Sequence, residues 1–146
     1  DIWNSVILEA VRESQALASH LEPYDMYLYA MVKSINGKKL VVCDGKQNYQ
    51  VNSNMAGFID RKAGYLYIRP QDTYNQVIRY WDSLDRTFSA SDRSIRQDLA
   101  VHQFILTQSE ETKDNTTKVV RLARNVERRF LVFDLGKLER EYEKLS

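Results

Sequence analysis

Two stretches in the second half of the chain repeat apolar residues at the spacing of an α-helix. Residues 72–84 place four of them on one face: Val77, Ile78, Trp81 and Leu84. In residues 90–102, Ile95, Leu99 and His102 face inwards at positions i, i+4 and i+7. The second stretch would then present polar and small residues outwards: Arg93, Arg96, Gln97 and Ala100. The pattern therefore predicts two amphipathic helices in succession.

Capping signals stand at the start of both predicted helices. Asp72 or Thr73 is a favourable N-cap for the first helix. Ser89, with Asp92 three residues later, matches the start signal of the second. The sequence therefore predicts a four-residue connector that ends at Ser89.

β-type runs rich in Val, Leu, Ile and Phe follow these helices at 104–107, 119–122 and 130–133. Polar residues 108–117, which we expect to be mobile, separate the first run from the second. Residues 124–127 separate the second run from the third. Residues 104–106 are also able to pair with one of the later runs across the polar segment. Two helices followed by a β-hairpin are what a winged helix-turn-helix requires.

The first half of the chain predicts helices and hairpins. Residues 1–21 have the periodicity of a strong amphipathic helix. Residues 24–34 favour a second helix that ends at Asn36-Gly37, with Gly37 as a left-handed cap. The alternative for that segment is a hairpin with Asn-Gly as its turn.

Two hairpins are predicted next. In the first, strand 40–43 returns through an Asp44-Gly45 turn into residues 48–51. In the second, strands 57–60 and 65–68 flank residues 61–64, and Pro70 ends the last strand. Residues 138–145 predict a short, highly charged C-terminal helix.

Charge is unevenly distributed along a chain that is nearly neutral as a whole. The 146 residues carry a formal net charge of +1, and 43% of them are hydrophobic, which is enough for a core. Five basic residues nevertheless fall within twelve positions, opposed only by Glu127: Lys118, Arg121, Arg124, Arg128 and Arg129. On a hairpin, side-chain alternation would bring some of them to one solvent face as a basic wing. Such a wing predicts contact with nucleic-acid phosphates, and also serves to protect an edge strand.

Residue patterns for catalysis are missing. No glycine-rich phosphate loop or Gly-x-Ser-x-Gly elbow occurs, and His20 and His102 lack metal-ligand spacing. The lone Cys43 is interpreted as a small buried residue in a reducing, cytoplasmic setting. His102 is interpreted as a packed, hydrogen-bonded residue, and Asp82 with Asp85 as a solvated helix face. We therefore expect no enzyme activity, no metal and no cofactor, and no membrane contact because no apolar run approaches about 20 residues.

A family resemblance rests on a succession of segments between residues 57 and 135. They are Gly57-Phe-Ile-Asp60, Gly64-Tyr-Leu-Tyr-Ile-Arg-Pro70, Ser94-Ile-Arg-Gln-Asp-Leu99, Gln103-Phe-Ile-Leu106 and Arg128-Arg-Phe-Leu-Val-Phe133. Together they resemble the C-terminal region of helicase-like replication ATPases of bacterial phages, plasmids and chromosomal cassettes. The resemblance implies a winged helix after a short β element, joined to an upstream ATPase core by a helical tail. The ATPase motifs are absent from this chain, so hydrolysis is not implied here.

These observations predict an α+β fold with two parts. Residues 1–56 would form a helical and β-hairpin extension, and residues 57–146 a winged-helix domain, excised from a larger protein. The expected function is a non-catalytic DNA-binding accessory domain of a mobile-element replication protein. Arg93, Arg96 and Gln97 would act from the second helix, and Lys118, Arg121, Arg124, Arg128 and Arg129 from the wing, mainly on the backbone. One alternative is an interaction or self-association module that binds its partner through the N-terminal part. The other is a winged-helix transcription regulator. The sequence leaves open whether the ligand is DNA or RNA, which target sequence is bound, and the oligomeric state.

Overall fold

Helices and strands alternate irregularly along residues 21–107 and 116–146, which are the residues that the computed structural model describes. Within these ranges the helices are α1 (Pro23–Asn36), α2 (Pro70–Ser83), α3 (Asp92–Val101) and α4 (Leu135–Leu145). The strands are β1 (Val41–Asp44), β2 (Met55–Asp60), β3 (Tyr65–Ile68), β4 (Lys118–Ala123) and β5 (Val126–Asp134). The predicted α+β class is confirmed. The helix predicted for 1–21 lies outside the described residues except for Leu21, as does the predicted polar segment except for Thr116 and Thr117.

All five strands form one sheet in the order β1-β2-β3-β5-β4. β1 runs parallel to β2, and every other neighbouring pair is antiparallel. The paired residues Leu66 and Phe133 lie on the face that packs against the helices, in one core with Leu28, Val77 and Leu99. The other face carries a smaller aromatic core of Tyr49, Phe58, Val120 and Phe130. The sheet therefore has a helix-side face and an outer face.

Helix α1 confirms the helical prediction for residues 24–34 and overturns the Asn-Gly hairpin alternative. Tyr27, Leu28 and Met31 are fully buried on it. The helix ends at Asn36 as predicted, but Gly37 does not take the left-handed conformation, since its φ is −86°. Lys38 takes it instead, with φ 63°. The left-handed turn therefore comes one residue later than predicted.

The hairpin predicted over residues 40–51 is wrong. Strand β1 exists, but it pairs in parallel with β2, and residues 46–48 form a 3₁₀ turn. The Gly45 amide donates to the Ile59 carbonyl at 2.9 Å, so this amide is bonded to β2 and does not close a tight turn. Tyr49 leaves the sheet edge and packs its ring against Phe130, with ring centroids 5.5 Å apart. Burial of this aromatic ring outweighs the local turn signal.

The second predicted hairpin is confirmed as β2 and β3. Its turn ends at Gly64, whose φ of 81° favours glycine. β3 ends before Pro70, as predicted, but Pro70 itself opens α2 in its first turn. The predicted Asp72 or Thr73 cap is therefore wrong. Arg69 is the N-cap residue, and the Thr73 hydroxyl donates to its carbonyl at 2.7 Å.

The connector between α2 and α3 is longer than the four residues predicted. It spans residues 84–91, because Phe88 turns inwards and packs against Tyr27, with ring centroids 6.4 Å apart. The start predicted at Ser89 is wrong, since Ser91 caps α3 by accepting from the Ser94 amide at 3.1 Å. In α2, the predicted apolar face is narrower than expected. Val77 and Trp81 are buried, whereas Ile78 and Leu84 are exposed.

The inward face of α3 is confirmed for Ile95 and Leu99, which are buried, but is wrong for His102. His102 follows the last helical residue, its side chain is 41% exposed, and its ring stacks on Tyr24 at 4.2 Å. His102 is the C-cap residue of the helix, and its ring nitrogen Nδ1 lies 2.9 Å from the Asp98 carbonyl oxygen.

Residues 104–107 do not form a full strand. They make a single bridge, Ile105 to Phe133, flanked by a hydrogen bond from the Leu106 amide to the Val132 carbonyl at 2.9 Å. This contact confirms the alternative that the segment pairs with a later run. The C-terminal helix is also confirmed, and it begins earlier than predicted because the Asp134 carboxylate caps it from the end of β5.

Asp25 provides a test of how α1 packs against α4. Its carboxyl is buried in the first turn of α1 beside Glu141 of α4, and Oδ1 has no hydrogen-bond partner among the described residues. Burial raises the pKa of Asp25 to about 6, and a hydrogen bond with Glu141 and the negative charges of Glu141 and Glu22 add to the rise. The folded state thus holds this proton more tightly than the unfolded chain, whose Asp pKa is about 3.9. The free energy of unfolding should therefore fall as pH rises from about 4 to about 6.

The substitution Asp25→Asn should remove this loss of stability at rising pH, because asparagine carries no titrating proton. We expect the free energy of unfolding at pH 7.5 to rise by about 1–2 kcal/mol, and its pH dependence between 4 and 6 to flatten. Urea denaturation at pH 4.5 and 7.5 measures both. The exposed Glu139→Gln on α4 is the matched control, with no change expected. An Asp25→Asn protein as pH-dependent as the parent would contradict the assignment.

Candidate nucleic-acid interface

Helix α3 presents three of the predicted contact residues on one cleft. Ile95 and Leu99 fix the helix in the core, which turns Arg93, Arg96 and Gln97 away from it. These three side chains and Thr116 line a cleft of about 200 Å³. Thr116 comes two residues before β4, so the cleft joins α3 to the start of the hairpin.

Arg96 is less available to a phosphate than the sequence predicts. Its Nη2 lies 2.9 Å from Oδ2 of Asp92, one turn earlier, and the side chain is only 27% exposed. Its Nε is buried without a hydrogen-bond partner among the described residues. Asp92 therefore offsets part of the positive charge of Arg96, whereas the Arg93 side chain on the same helix is exposed.

Strands β4 and β5 divide the basic residues of the hairpin between two faces. Residues paired across antiparallel strands share a face, and neighbours along a strand alternate. The pairs Val119–Arg129 and Arg121–Glu127 lie on the helix-side face. The pairs Lys118–Phe130 and Val120–Arg128 lie on the outer face, as the aromatic core around Phe130 shows. The predicted basic wing is therefore two sets of cations and not one.

The helix-side cations lie close to the α3 cleft. Arg129 Nη1 donates to Thr117 Oγ1 at 3.3 Å, and the adjacent Thr116 lines the cleft with Arg93. Thr116 and Thr117 are both buried, so this junction is packed. Arg121 lies further towards the hairpin tip, 3.8 Å from Glu127 in an exposed ion pair that contributes little to stability. Helix α3 and the hairpin thus meet at this junction, and we call the polar and basic side chains on either side of it the α3–hairpin surface: Arg93, Arg96, Gln97, Arg121 and Arg129.

The outer face contains a cation that the sequence pattern did not single out. Burial raises the pKa of Tyr49, and the positive charges of Arg69 and Arg128 partly offset that rise, which places both near the phenol. Arg69 is the N-cap of α2, almost sixty residues from Arg128 in the chain. Only the sheet brings them together, so no local spacing could have indicated the pair. Lys118 and Arg128, with Arg69, form an outer basic set.

Arg124 stands apart from both sets at the tip of the hairpin. Only Arg124 and Asn125 connect β4 to β5, so two of the four residues of the predicted segment 124–127 belong to strand β5. Asn125 takes the left-handed conformation with φ 65°, which Asn tolerates better than most residues. The Arg124 side chain is exposed, where it can follow a nucleic-acid backbone from either face.

The Cys and Asp residues interpreted from the sequence as non-catalytic have the following surroundings in the structure. Within residues 21–107 and 116–146, no three His, Cys, Asp or Glu side chains are placed to hold a metal ion. Asp82 and Asp85 are exposed, as predicted. Cys43 is only partly buried, its Sγ lies 3.5 Å from the Gly45 carbonyl, and burial raises the pKa of its thiol. A raised thiol pKa is the opposite of what a nucleophilic cysteine needs.

Comparison with models of protein families, with curated proteins and with solved structures gave no match to this chain. Among the described helices, none is both long and apolar enough to cross a membrane.

Proposed function

We propose that this chain is a non-catalytic DNA-binding domain of winged helix-turn-helix type. The succession α1, β3, α2, α3, β4, β5 supports the proposal, as does the sheet order in which β5 lies between β3 and β4. In such a fold α3 is the recognition helix and the β4–β5 hairpin is the wing. Strands β1 and β2 extend the sheet beyond β3 and are an addition to that arrangement.

The observation that carries the proposal is the junction between Arg129, Thr117 and Thr116. It joins the helix-side cations of the hairpin to the cleft of α3. Phosphate contacts from two elements on one surface fix the orientation of a duplex better than contacts from either alone. Because Arg96 is held by Asp92, the hairpin contributes at least as much charge as the helix. This balance favours contact with the phosphate backbone over base reading.

The biological setting is proposed on the resemblance described above. A module that grips the DNA backbone without sequence preference suits an accessory domain of a cytoplasmic replication ATPase, which must move along DNA. A preference for paired half-sites, with a dimer in sedimentation, would instead indicate a transcription regulator.

Salt dependence is the direct test of the proposed surface. Arg93, Arg121, Arg124 and Arg129 amount to four phosphate contacts, so log K should fall with log[salt] at a slope of about −4 on duplex DNA. Fluorescence anisotropy with labelled duplexes of unrelated sequence, at several salt concentrations, measures this slope. A matching RNA duplex and a single strand in the same buffer assign the nucleic-acid type. No binding at low salt would reject the proposal and favour a protein-interaction module.

A further inference from the structure

A second basic surface lies between α1 and α2, in a place that the sequence pattern did not indicate. Lys33 and Lys39 approach it from the end of α1, and Arg79 from α2. They line a cleft of about 460 Å³ together with Gln76 and Tyr80 among others. None of the described residues that line it is acidic. We call it the α1–α2 cleft.

No described residue forms an ion pair with the three cations of this cleft, Lys33, Lys39 and Arg79. The Lys33 ammonium lies 5.6 Å from the centroid of the Tyr29 ring, which orients it without removing its charge. In a chain with a net charge of only +1, three cations that line one cleft without an ion pair to any described residue are a strong local excess.

The end of α1 would normally repel an anion, because unpaired carbonyls carry partial negative charge there. Here several of those carbonyls accept hydrogen bonds from the residues that follow the helix. The Lys33 carbonyl accepts from the Gly37 amide at 2.9 Å, and the Ser34 carbonyl accepts from the amides of Lys39 and Leu40 at 2.8 and 3.1 Å. The left-handed Lys38 makes this fold-back possible. The same turn that closes the helix end therefore brings Lys39 to the cleft.

The polar side chains of the cleft are suited to phosphate oxygens. The Gln76 amide donates to the buried Ser34 hydroxyl at 3.3 Å, which joins α1 to α2 across the floor. The half-buried Tyr80 ring packs edge-on against Trp81 and offers an aromatic wall. Cations beside an aromatic wall are the combination that tracks a single-stranded backbone and stacks its bases.

From this geometry we infer that the α1–α2 cleft binds the phosphate groups of a nucleic-acid strand, as a second site separate from the α3–hairpin surface. This inference rests on the proposed function for the identity of its ligand. What the inference adds is the location of the second site. A nucleic-acid strand bound in the α1–α2 cleft would be contacted by residues other than those of the α3–hairpin surface.

The test is NMR of the full 146-residue chain with three probes: inorganic phosphate, a mononucleotide and a short single-stranded oligonucleotide. We expect the oligonucleotide to shift amide signals of residues 33–39 and 76–83. The variant K33E/K39E/R79E should lose these shifts and lower the salt slope of single-strand binding by about 2. The matched control K46E/K62E/R140E, with the same change in charge at exposed positions, should retain both.

Two further arms separate this inference from the proposed function. R93E/R129E should abolish shifts at α3 and the hairpin and leave those at the α1–α2 cleft in place. Cleft shifts with no response at α3 or the hairpin would reject the α3–hairpin surface and keep the cleft. Shifts with phosphate or mononucleotide but none with the oligonucleotide would overturn the inference, as would no shift at the cleft with any probe.

Discussion

Gly57→Ala should lower the free energy of unfolding by at least about 3 kcal/mol. Gly57 lies in β2 opposite Ile68 of β3. A Cβ atom built there would lie 1.9 Å from the Tyr67 carbonyl oxygen and 2.8 Å from the Ile68 Cα. Both neighbours are backbone atoms within a paired strand, so relief requires the sheet itself to open.

Urea denaturation followed by circular dichroism measures this loss. Gly136→Ala in α4 is the matched control, because its Cβ would meet only the Arg140 guanidinium at 3.3 Å and the Asp134 carboxylate at 3.7 Å. Alanine in a helix is favoured over glycine, so we expect that variant to gain up to about 1 kcal/mol. Equal stability of the two variants would show that β2 and β3 do not approach as closely as described.

The elements predicted correctly are those whose signal is local and repeated. Helix α1 follows from a local run of residues that favour helices, among them Met, Leu and Ala. The buried positions Val77, Trp81, Ile95 and Leu99 follow from side-chain periodicity, because periodicity determines which face of a helix is buried. The β2–β3 hairpin follows likewise from two apolar runs and an intervening glycine. Packing shifted the ends of these elements by a few residues, as when burial of Phe88 delayed the start of α3.

The wrong predictions arose where contacts with residues distant in the chain outweighed a local sequence signal. Asp44-Gly45 has the sequence of a tight hairpin turn, yet β1 pairs with β2, and Tyr49 packs on the outer face of the sheet. Parallel pairing leaves no signature in the residues between two strands. His102 is a smaller case of the same kind, since its exposed ring stacks on Tyr24 of α1 and does not enter the core.

The sequence predicted which basic residues belong to the candidate site, but not how they are arranged in space. Charge density alone identified the basic residues of the hairpin. Their division between two faces depends on strand register and on which face the helices cover, and neither can be read from charge. Arg69, Lys33, Lys39 and Arg79 come from separate elements, so their placement beside other cations required the tertiary structure.

The division of the hairpin into two faces leads to the prediction with the largest effect on binding. R121E/R129E alters the helix-side face, and K118E/R128E alters the outer face, within the same two strands and with the same change in charge. If duplex DNA lies on the α3–hairpin surface, the first variant loses two charge-assisted contacts of about 1.5 kcal/mol each. Its affinity at constant salt should fall on the order of 100-fold. The second variant should lose only long-range attraction, about threefold, and this should vanish as salt screens it.

Anisotropy titrations of both variants with one duplex, at about 50 and about 200 mM salt, measure the loss of affinity from each face of the hairpin. Thermal unfolding of each variant must accompany them, because R121E places a carboxylate opposite Glu127, where like charges destabilise a strand pair. Equal losses in the two variants would show that the hairpin acts through net charge alone and not through one face. A larger loss in K118E/R128E would move the interface to the outer face, where Arg69 and Arg128 flank Tyr49. In that case α3 would face away from the nucleic acid, and the recognition-helix assignment would be wrong.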